Sequence, residues 1–494
     1  MPRARHPRLA VLLSTLLAAC VAAPASARVV PARTIWTIAG TGTPCAAAPQ
    51  CGDGGPGSGA AVGFPQGVAL DAGGNLYIVD MADNEIRKLS PAGVITIVAG
   101  DGAPCQAAPA CGDGGPATSA QLNAPTGVAL DSRGDVFIAD AGDEEIRKVA
   151  PSGTITRLAG TGAECANPGT CGDGGPALSA VLASPAGVAL GPGGDLYIAD
   201  ALDHEIRRID SHGTITTVAG NGSQCSAAPA CGDGGPATAA QLNYPESLAF
   251  DAHGAMLIAD NGDNEIRRVS GGQITRVAGT GTACTSAPRC GDGGSALTAT
   301  LNAPAGVAVD RSGAVYIADW GDNEVRVVSR RGTISRLAGT GTACALAPAC
   351  GDTGAASAAQ LGSPEGLAVD AGANVYVGDT FDNEVRLIPA TSAAPARARS
   401  AHGSSALLAF ATTTTRSAVT VHFVLSGSAR VSLSVAQGRA RPLLAVHTTA
   451  AGGLAQLVWN RHLKSRVAPR GRYSLTVAAR YGSTLLSSTL GVTL

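Results

Sequence analysis

The chain has 494 residues, a formal net charge of −2, and 45% hydrophobic but only 3% aromatic residues. The length allows more than one domain, and the near-zero balance excludes a uniformly basic polyanion binder or a uniformly acidic, solvating chain. Sixty-six glycines and 29 prolines favour short strands and turns over long helices.

The first 27 residues read as a targeting leader. Arg3, Arg5 and Arg8 precede the apolar run Leu9 to Ala19, too short to span a bilayer, and Ala25-Ser-Ala27 fits a small-residue cleavage site. Leu17-Ala-Ala-Cys20 also resembles a bacterial lipobox, which would leave Cys20 lipidated. Cysteine arithmetic does not separate the two, because Cys20 is the odd cysteine either way. Cleavage after Ala27 is the preferred reading, and a secreted or cell-envelope location is expected. No second apolar stretch is long enough to cross a membrane.

From residue 34 the sequence repeats. Cys-x5-Cys-Gly-Asp recurs six times, its second cysteine at Cys51, Cys111, Cys171, Cys231, Cys290 and Cys350, with a period of 59 or 60 residues. A fixed period of this size marks a repeat architecture. Each repeat carries four short β-branched or aliphatic runs; in the second they are Thr126–Asp131, Val136–Asp140, Glu145–Val149 and Thr154–Leu158. Four antiparallel strands per unit is one propeller blade. The fourth-strand pattern first appears at 34–40, ahead of any blade, and is missing after Ile388. Residues 34–40 are therefore expected to complete the blade formed by 364–389. The expected fold class is all-β: a six-bladed propeller over 34–389 closed by its N-terminal strand, followed by a β-sandwich.

Pro125-Thr-Gly-Val-Ala-Leu-Asp131, Asp135-Val-Phe-Ile-Ala-Asp140 and Asp143-Glu-Glu-Ile-Arg147 resemble the NHL repeat, six times in register between 34 and 389. Gly191 and Ser247 are among the few departures. The resemblance implies a propeller on which lyases with metal-binding histidines, and related lactonases with channel carboxylates, are also built. Such a site should break the six-fold pattern. The propeller's histidines are His204, His212 and His253, all in turn contexts, so a three-histidine zinc site is not expected. RNA binding needs a basic face and is rejected for this acidic propeller.

The twelve paired cysteines are Cys45, Cys51, Cys105, Cys111, Cys165, Cys171, Cys225, Cys231, Cys284, Cys290, Cys344 and Cys350. In an exported chain they read as six local disulfides; the spacing is not that of a zinc knuckle, and no histidine accompanies the pairs. The disulfide loops and the Asp-x-x-Asp turns should share one rim. Asp53, Asp80, Asp83, Asp113, Asp140 and Asp143 on that rim offer hard oxygen ligands for calcium. An aspartate repeated in every blade more often serves the blade's own turns or pairs with the repeated arginines Arg87 and Arg147, so no cofactor is assigned. Met81, Trp320 and Phe381 occupy one position between the paired aspartates, where other blades have Ala141, Ala201 and Asn261. They are candidate recognition residues, with packing against the neighbouring disulfide loop as the alternative.

Residues 390–405 read as an Ala/Ser/Pro/Arg linker. The runs Val419–Leu425, Arg430–Val435, Leu454–Trp459, Tyr473–Ala479 and Leu485–Leu494 suggest a sandwich over 406–494. Trp459-Asn460 followed by Pro469-Arg-Gly471-Arg-Tyr473 resembles the immunoglobulin-like module of flagellar hook-capping proteins. Residues 391–494 hold twelve Arg or Lys and no Asp or Glu, whereas residues 28–390 hold twenty basic and thirty-seven acidic residues. Arg461, Lys464, Arg466, Arg470 and Arg472 are candidates for binding an anionic envelope polymer, with docking on the acidic propeller as the alternative. The function expected is a non-catalytic binding scaffold that presents a protein, glycan or anionic polymer to the disulfide-loop rim. A metal-dependent hydrolase or lyase with a channel site, and a structural envelope component held by its basic end, are the alternatives.

Overall fold

The computed structural model describes residues 33–494, apart from short stretches inside the cysteine loops, residues 391–395 and several stretches beyond 400. The expected leader, residues 1–27, and Cys20 within it lie outside the described residues.

Six four-stranded antiparallel sheets succeed one another in chain order. The first runs Pro65–Leu70, Leu76–Asp80, Glu85–Leu89 and Ile95–Ala99, and the next four repeat it. The sixth holds Pro364–Val369, Val375–Asp379 and Glu384–Ile388, and its fourth place is taken by Trp36–Ala39, with Trp36 opposite Leu387. Each sheet is apolar on both faces in its middle strands, because each is packed between two neighbours. Ile78 and Val79, on successive positions, are both fully buried. The clusters that result are inter-blade: Tyr77, Val79 and Ile86 of the first sheet pack with Leu122, Val128 and Ile138 of the second.

The inner strands approach so closely that one position cannot carry a side chain. A Cβ on Gly67 would stand 2.7 Å from the Thr126 carbonyl oxygen, and one on Gly127 would stand 2.7 Å from that of Ala186. Ser247 is the exception, and its hydroxyl receives the Val307 amide at 3.4 Å.

A second inter-blade device lies in the turn between strands two and three. Asn84, Glu144, His204, Asn264, Asn323 and Asn383 all sit in the left-handed region, with φ from 51° to 56°. From there each side chain reaches the next blade and accepts a backbone amide. Asn84 Oδ1 takes Ala124 N at 2.9 Å, Asn264 Oδ1 takes Ala303 N at 2.8 Å, and Asn323 Oδ1 takes Ser363 N at 2.9 Å. Asn383 Oδ1 takes Phe64 N at 3.1 Å, which joins the last blade to the first. His204 belongs to this set: its Nδ1 accepts the Tyr244 amide at 3.2 Å. The sequence reading of His204 as a turn residue caught its place but not this role.

All six disulfides pair within their own repeat, from Cys45–Cys51 to Cys344–Cys350, with Cα separations of 5.6 to 5.9 Å.

After the propeller, two four-stranded antiparallel sheets share one core that includes Phe423, Trp459, Tyr473 and Val477. The structure moves the start of this region. Ala396–Ser400, expected as linker, is a strand paired with the first residues of Gly403–Thr414. Its alternation, Ala-Arg-Ala-Arg-Ser, is a period of two that the linker-like composition concealed. Leu454 of this region is buried with Ile38, Leu89 and Ile95 of the propeller.

Candidate functional site

Each blade is organised around a buried guanidinium. Arg87 has no exposed surface, because the third strand places it between two sheets. It donates to Asp53 at 2.9 Å and Asp80 at 3.0 Å, and to the carbonyls of Ala61 and Cys51 at 2.5 and 3.3 Å. Asp80 uses its other oxygen to accept the Gly63 amide at 2.7 Å. One charge network thus ties strands two and three to the disulfide loop and to the approach of strand one. The pattern recurs in all six blades, for example at Arg147 with Asp113 and Asp140, and at Arg267 with Asp233 and Asp260.

This geometry gives Asp53, Asp80, Asp113 and Asp140 a partner: the arginine stands where a bound cation would. Burial, opposed by the arginine, pushes Asp80 and Asp140 up to about 7. Asp83 and Asp143 are buried beside the disulfides. The ligand atoms that gather most closely are in each case one aspartate and two cysteine sulfurs, such as Asp83 with Cys45 and Cys51. Disulfide sulfurs are not thiolates, so this donor set lends calcium no support.

Of the rim candidates, Phe381 is 54% exposed. Its ring meets Phe64 edge-on at 5.8 Å and Trp320 at 6.2 Å. Trp320 is half-buried and donates its Nε1–H to Glu365 Oε1 at 3.1 Å. Met81 holds the same turn position in the first blade and is half-buried. Blades five, six and one thus bring three aromatics together. Tyr244 and Leu202, also exposed, lie elsewhere around the same mouth. Of the basic candidates, Arg472 is exposed. The backbone of Arg466 lies in a short hairpin, His462–Leu463 with Arg466–Val467, and its side chain, with Arg461, Lys464 and Arg470, lies outside the described residues.

Sequence reasoning allowed for a channel site but missed the residues that line it. A cavity of about 510 Å³ opens at this rim, with Leu202, Tyr244, Asn261 and Trp320 at its mouth. Two rings from the inner strands line it. The deeper ring is apolar: Val68, Val128, Val188, Leu248, Val307 and Leu367. The upper ring, one residue after each strand-initial proline, is Gln66, Thr126, Ala186, Glu246, Ala305 and Glu365. Glu246 also bonds to Asn261. Both carboxylates face the channel and are otherwise enclosed by protein. Burial first, and Glu365 second, push Glu246 up to about 8; burial pushes Glu365 up to about 7. The signal was present as a position that varies while its neighbours repeat. Nothing local marks that position as facing the axis.

A family model described as the Teneurin NHL domain matches residues 26–109, 95–161, 156–230 and 263–349. Teneurin-4 of Mus musculus is 32% identical over 279 residues, which covers 52% of this chain and 10% of that protein. The chain thus spans about a tenth of the length of the curated relatives it matches. A structural genomics protein of unknown function from Bacteroides thetaiotaomicron superposes with a TM-score of 0.50 at 16% identity, covering 72% of this chain and 75% of that one. An auxiliary nutrient binding protein from Bacteroides ovatus superposes with a TM-score of 0.50 at 15% identity, covering 72% and 76%. At such identities the likeness is one of fold alone.

Proposed function

The chain belongs to the Teneurin NHL domain family, and on that premise we propose that it is an exported, non-catalytic binding scaffold that engages its partner at the disulfide-loop rim of the propeller. The observation that carries this reading is the break in symmetry at that rim. Six blades share one frame, yet Phe64, Trp320 and Phe381 cluster on one side of the mouth, and the Phe381 ring stands open to solvent. Exposed aromatics on a rigid rim bring large contact area at little entropic cost. Six disulfides in one chain support export, since such bonds persist in oxidising compartments. Among the described residues no helix is long and apolar enough to cross a membrane. An immunoglobulin-like identity for the C-terminal sheets, and attraction of their basic residues to an anionic envelope polymer, belong to the same proposal.

A channel hydrolase or lyase is the second reading. Glu246 and Glu365 favour it, because they reach the axis from unlike positions. Among the described residues lining the cavity there is no histidine, lysine or free cysteine, and the two carboxylates are held by Asn261 and Trp320, so binding is the better supported use of the site.

The test is retention of surface and medium fractions of the producing cell on the immobilised chain. Phe381→Ala should release what the unaltered chain retains, while melting within about 2 °C of it, because an exposed ring contributes little to folding. Unchanged retention would refute the rim reading. A much lower melting point would mean that Phe381 serves packing.

A further inference from the structure

The axial cavity has a chemical bias that the rim reading leaves unused. Its upper ring carries two carboxylates, and among the described residues no basic one lines it. This is unlike the rest of the propeller, where the buried aspartate ending each second strand has its own arginine. We propose that the cavity binds a small organic monocation, an alkyl- or arylalkylammonium, with its nitrogen held between Glu246 and Glu365 and its hydrocarbon on the Val/Leu floor.

The arrangement is prepared for such a guest. Trp320 donates to Glu365 Oε1, and Asn261 bonds to Glu246. These neutral groups orient the carboxylates without cancelling their charge. Blades four and six supply the acids, and blade five between them has only Ala305 at that level, which leaves room for a head group. Cavities of roughly 300–1,000 Å³ suit small ligands, and about 510 Å³ falls in that range. Charge-assisted hydrogen bonds to ammonium are strong where water is excluded. Calcium fits less well: it takes about six to eight oxygen ligands, whereas beside the two carboxylates the upper ring offers only the Gln66 and Thr126 side chains as further oxygen donors, and the deeper ring is wholly aliphatic. Half the lining would be wasted on a bare ion and is used by a guest with a hydrocarbon tail.

Binding should release protons near neutral pH. Glu246 and Glu365, raised to about 8 and about 7, are partly protonated there, and a cation between them stabilises the ionised forms. The other groups of the upper ring, Gln66, Thr126, Ala186 and Ala305, and Asn261 and Trp320 beside the carboxylates, do not titrate in this range. Tyr244 at the mouth has His204 against its ring at 5.0 Å.

The proposal rests on the scaffold reading but not on the rim partner. The experiment is calorimetric titration of the purified chain with 2-phenylethylammonium chloride at pH 8, beside its neutral isostere 2-phenylethanol. The ammonium should bind at least about tenfold tighter than the alcohol, and heats in buffers of different ionisation enthalpy should report proton release. Glu246→Gln with Glu365→Gln should weaken the ammonium by at least about tenfold. That variant should melt no lower than the unaltered chain, because it removes two buried carboxylates that repel. Equal binding of the alcohol, undiminished affinity in the double variant, or no binding at about 1 mM ligand would overturn the proposal. Displacement of the ammonium by micromolar calcium would assign the cavity to a metal and overturn it too. Should the double variant fail to fold, the isostere comparison and proton release on the unaltered chain decide. Phe381 does not line the cavity. A chain that binds no ammonium but still loses its partner on Phe381→Ala would refute the cavity assignment alone.

Discussion

Removing one buried guanidinium should cost more than removing any surface charge, and the loss should depend on pH in a set direction. Arg267 is a suitable target because it lies in the fourth blade, away from the ring seam. It donates to Asp233 at 2.9 Å and Asp260 at 3.3 Å, and to the carbonyls of Gln241 and Cys231 at 2.7 and 3.2 Å. Its Nε also donates to Asp233 at 3.3 Å, and Arg267→Met keeps the packed stem and strips all five bonds. Breaking a buried ion pair by removing one partner costs about 3–5 kcal/mol. For a large domain at roughly 2 °C per kcal/mol, this corresponds to a fall of about 6–10 °C. Asp260, already pushed up to about 8 by burial and Asp263, rises further without the arginine. The folded variant therefore binds more protons than the folded parent. By linkage, the loss is largest at pH 9 and shrinks toward pH 6. Arg267→Met with Asp260→Asn should recover part of it, since the amide oxygen still accepts the Asn243 amide that Asp260 takes at 2.7 Å. The assay is scanning calorimetry of the propeller transition across that pH range. A loss under about 1 kcal/mol, or one that grows with acid, would refute the account.

Two further outcomes are expected. Deleting residues 33–41 removes the strand that fills the sixth sheet and should lower the melting point by more than Cys→Ser at any single disulfide, each of which closes a short loop worth about 2 kcal/mol; an unchanged melting point would rule out the closure. His204, lowered by burial and accepting the Tyr244 amide, must be neutral to hold its bond. The unfolded chain protonates it below about 6.5 while the folded chain resists, so its contribution is intact above that pH and lost as pH falls toward the folded value. His204→Asn, the residue four other blades use, should match the parent at pH 8 and outlast it at pH 5.5, by about 1 kcal/mol. A difference between the two that does not change with pH would show that His204 does not titrate against this bond.

The candidate sites were legible to different degrees. The arginine–aspartate pairing could be anticipated because both partners recur at fixed spacing, so one blade's chemistry is everyone's. The aromatic candidates were visible as residues that interrupt a repeat, but their grouping with Phe64 was not, since that phenylalanine precedes a strand in another blade and shares no motif with them. Glu246 and Glu365 were passed over because a position after a proline says nothing of the axis.

What the sequence determines by itself here is whatever is local and repeated. A six-fold period, strand runs bounded by Gly, Asp and Pro, and cysteines six residues apart fix the blades, the disulfide pairing and the displaced first strand, because those contacts form within one repeat or follow from counting strands. The start of the C-terminal sheets was misjudged where composition outweighed the Ala396–Ser400 alternation. Tertiary structure alone decided which variable positions meet. Ring closure carries equivalent residues of all six blades to one axis, so two glutamates from the fourth and sixth blades come to share a cavity although neither their separation in the chain nor their neighbours differ from those of positions that never meet. Sequence records order along the chain; the curvature that brings distant repeats face to face is a property of packed sheets.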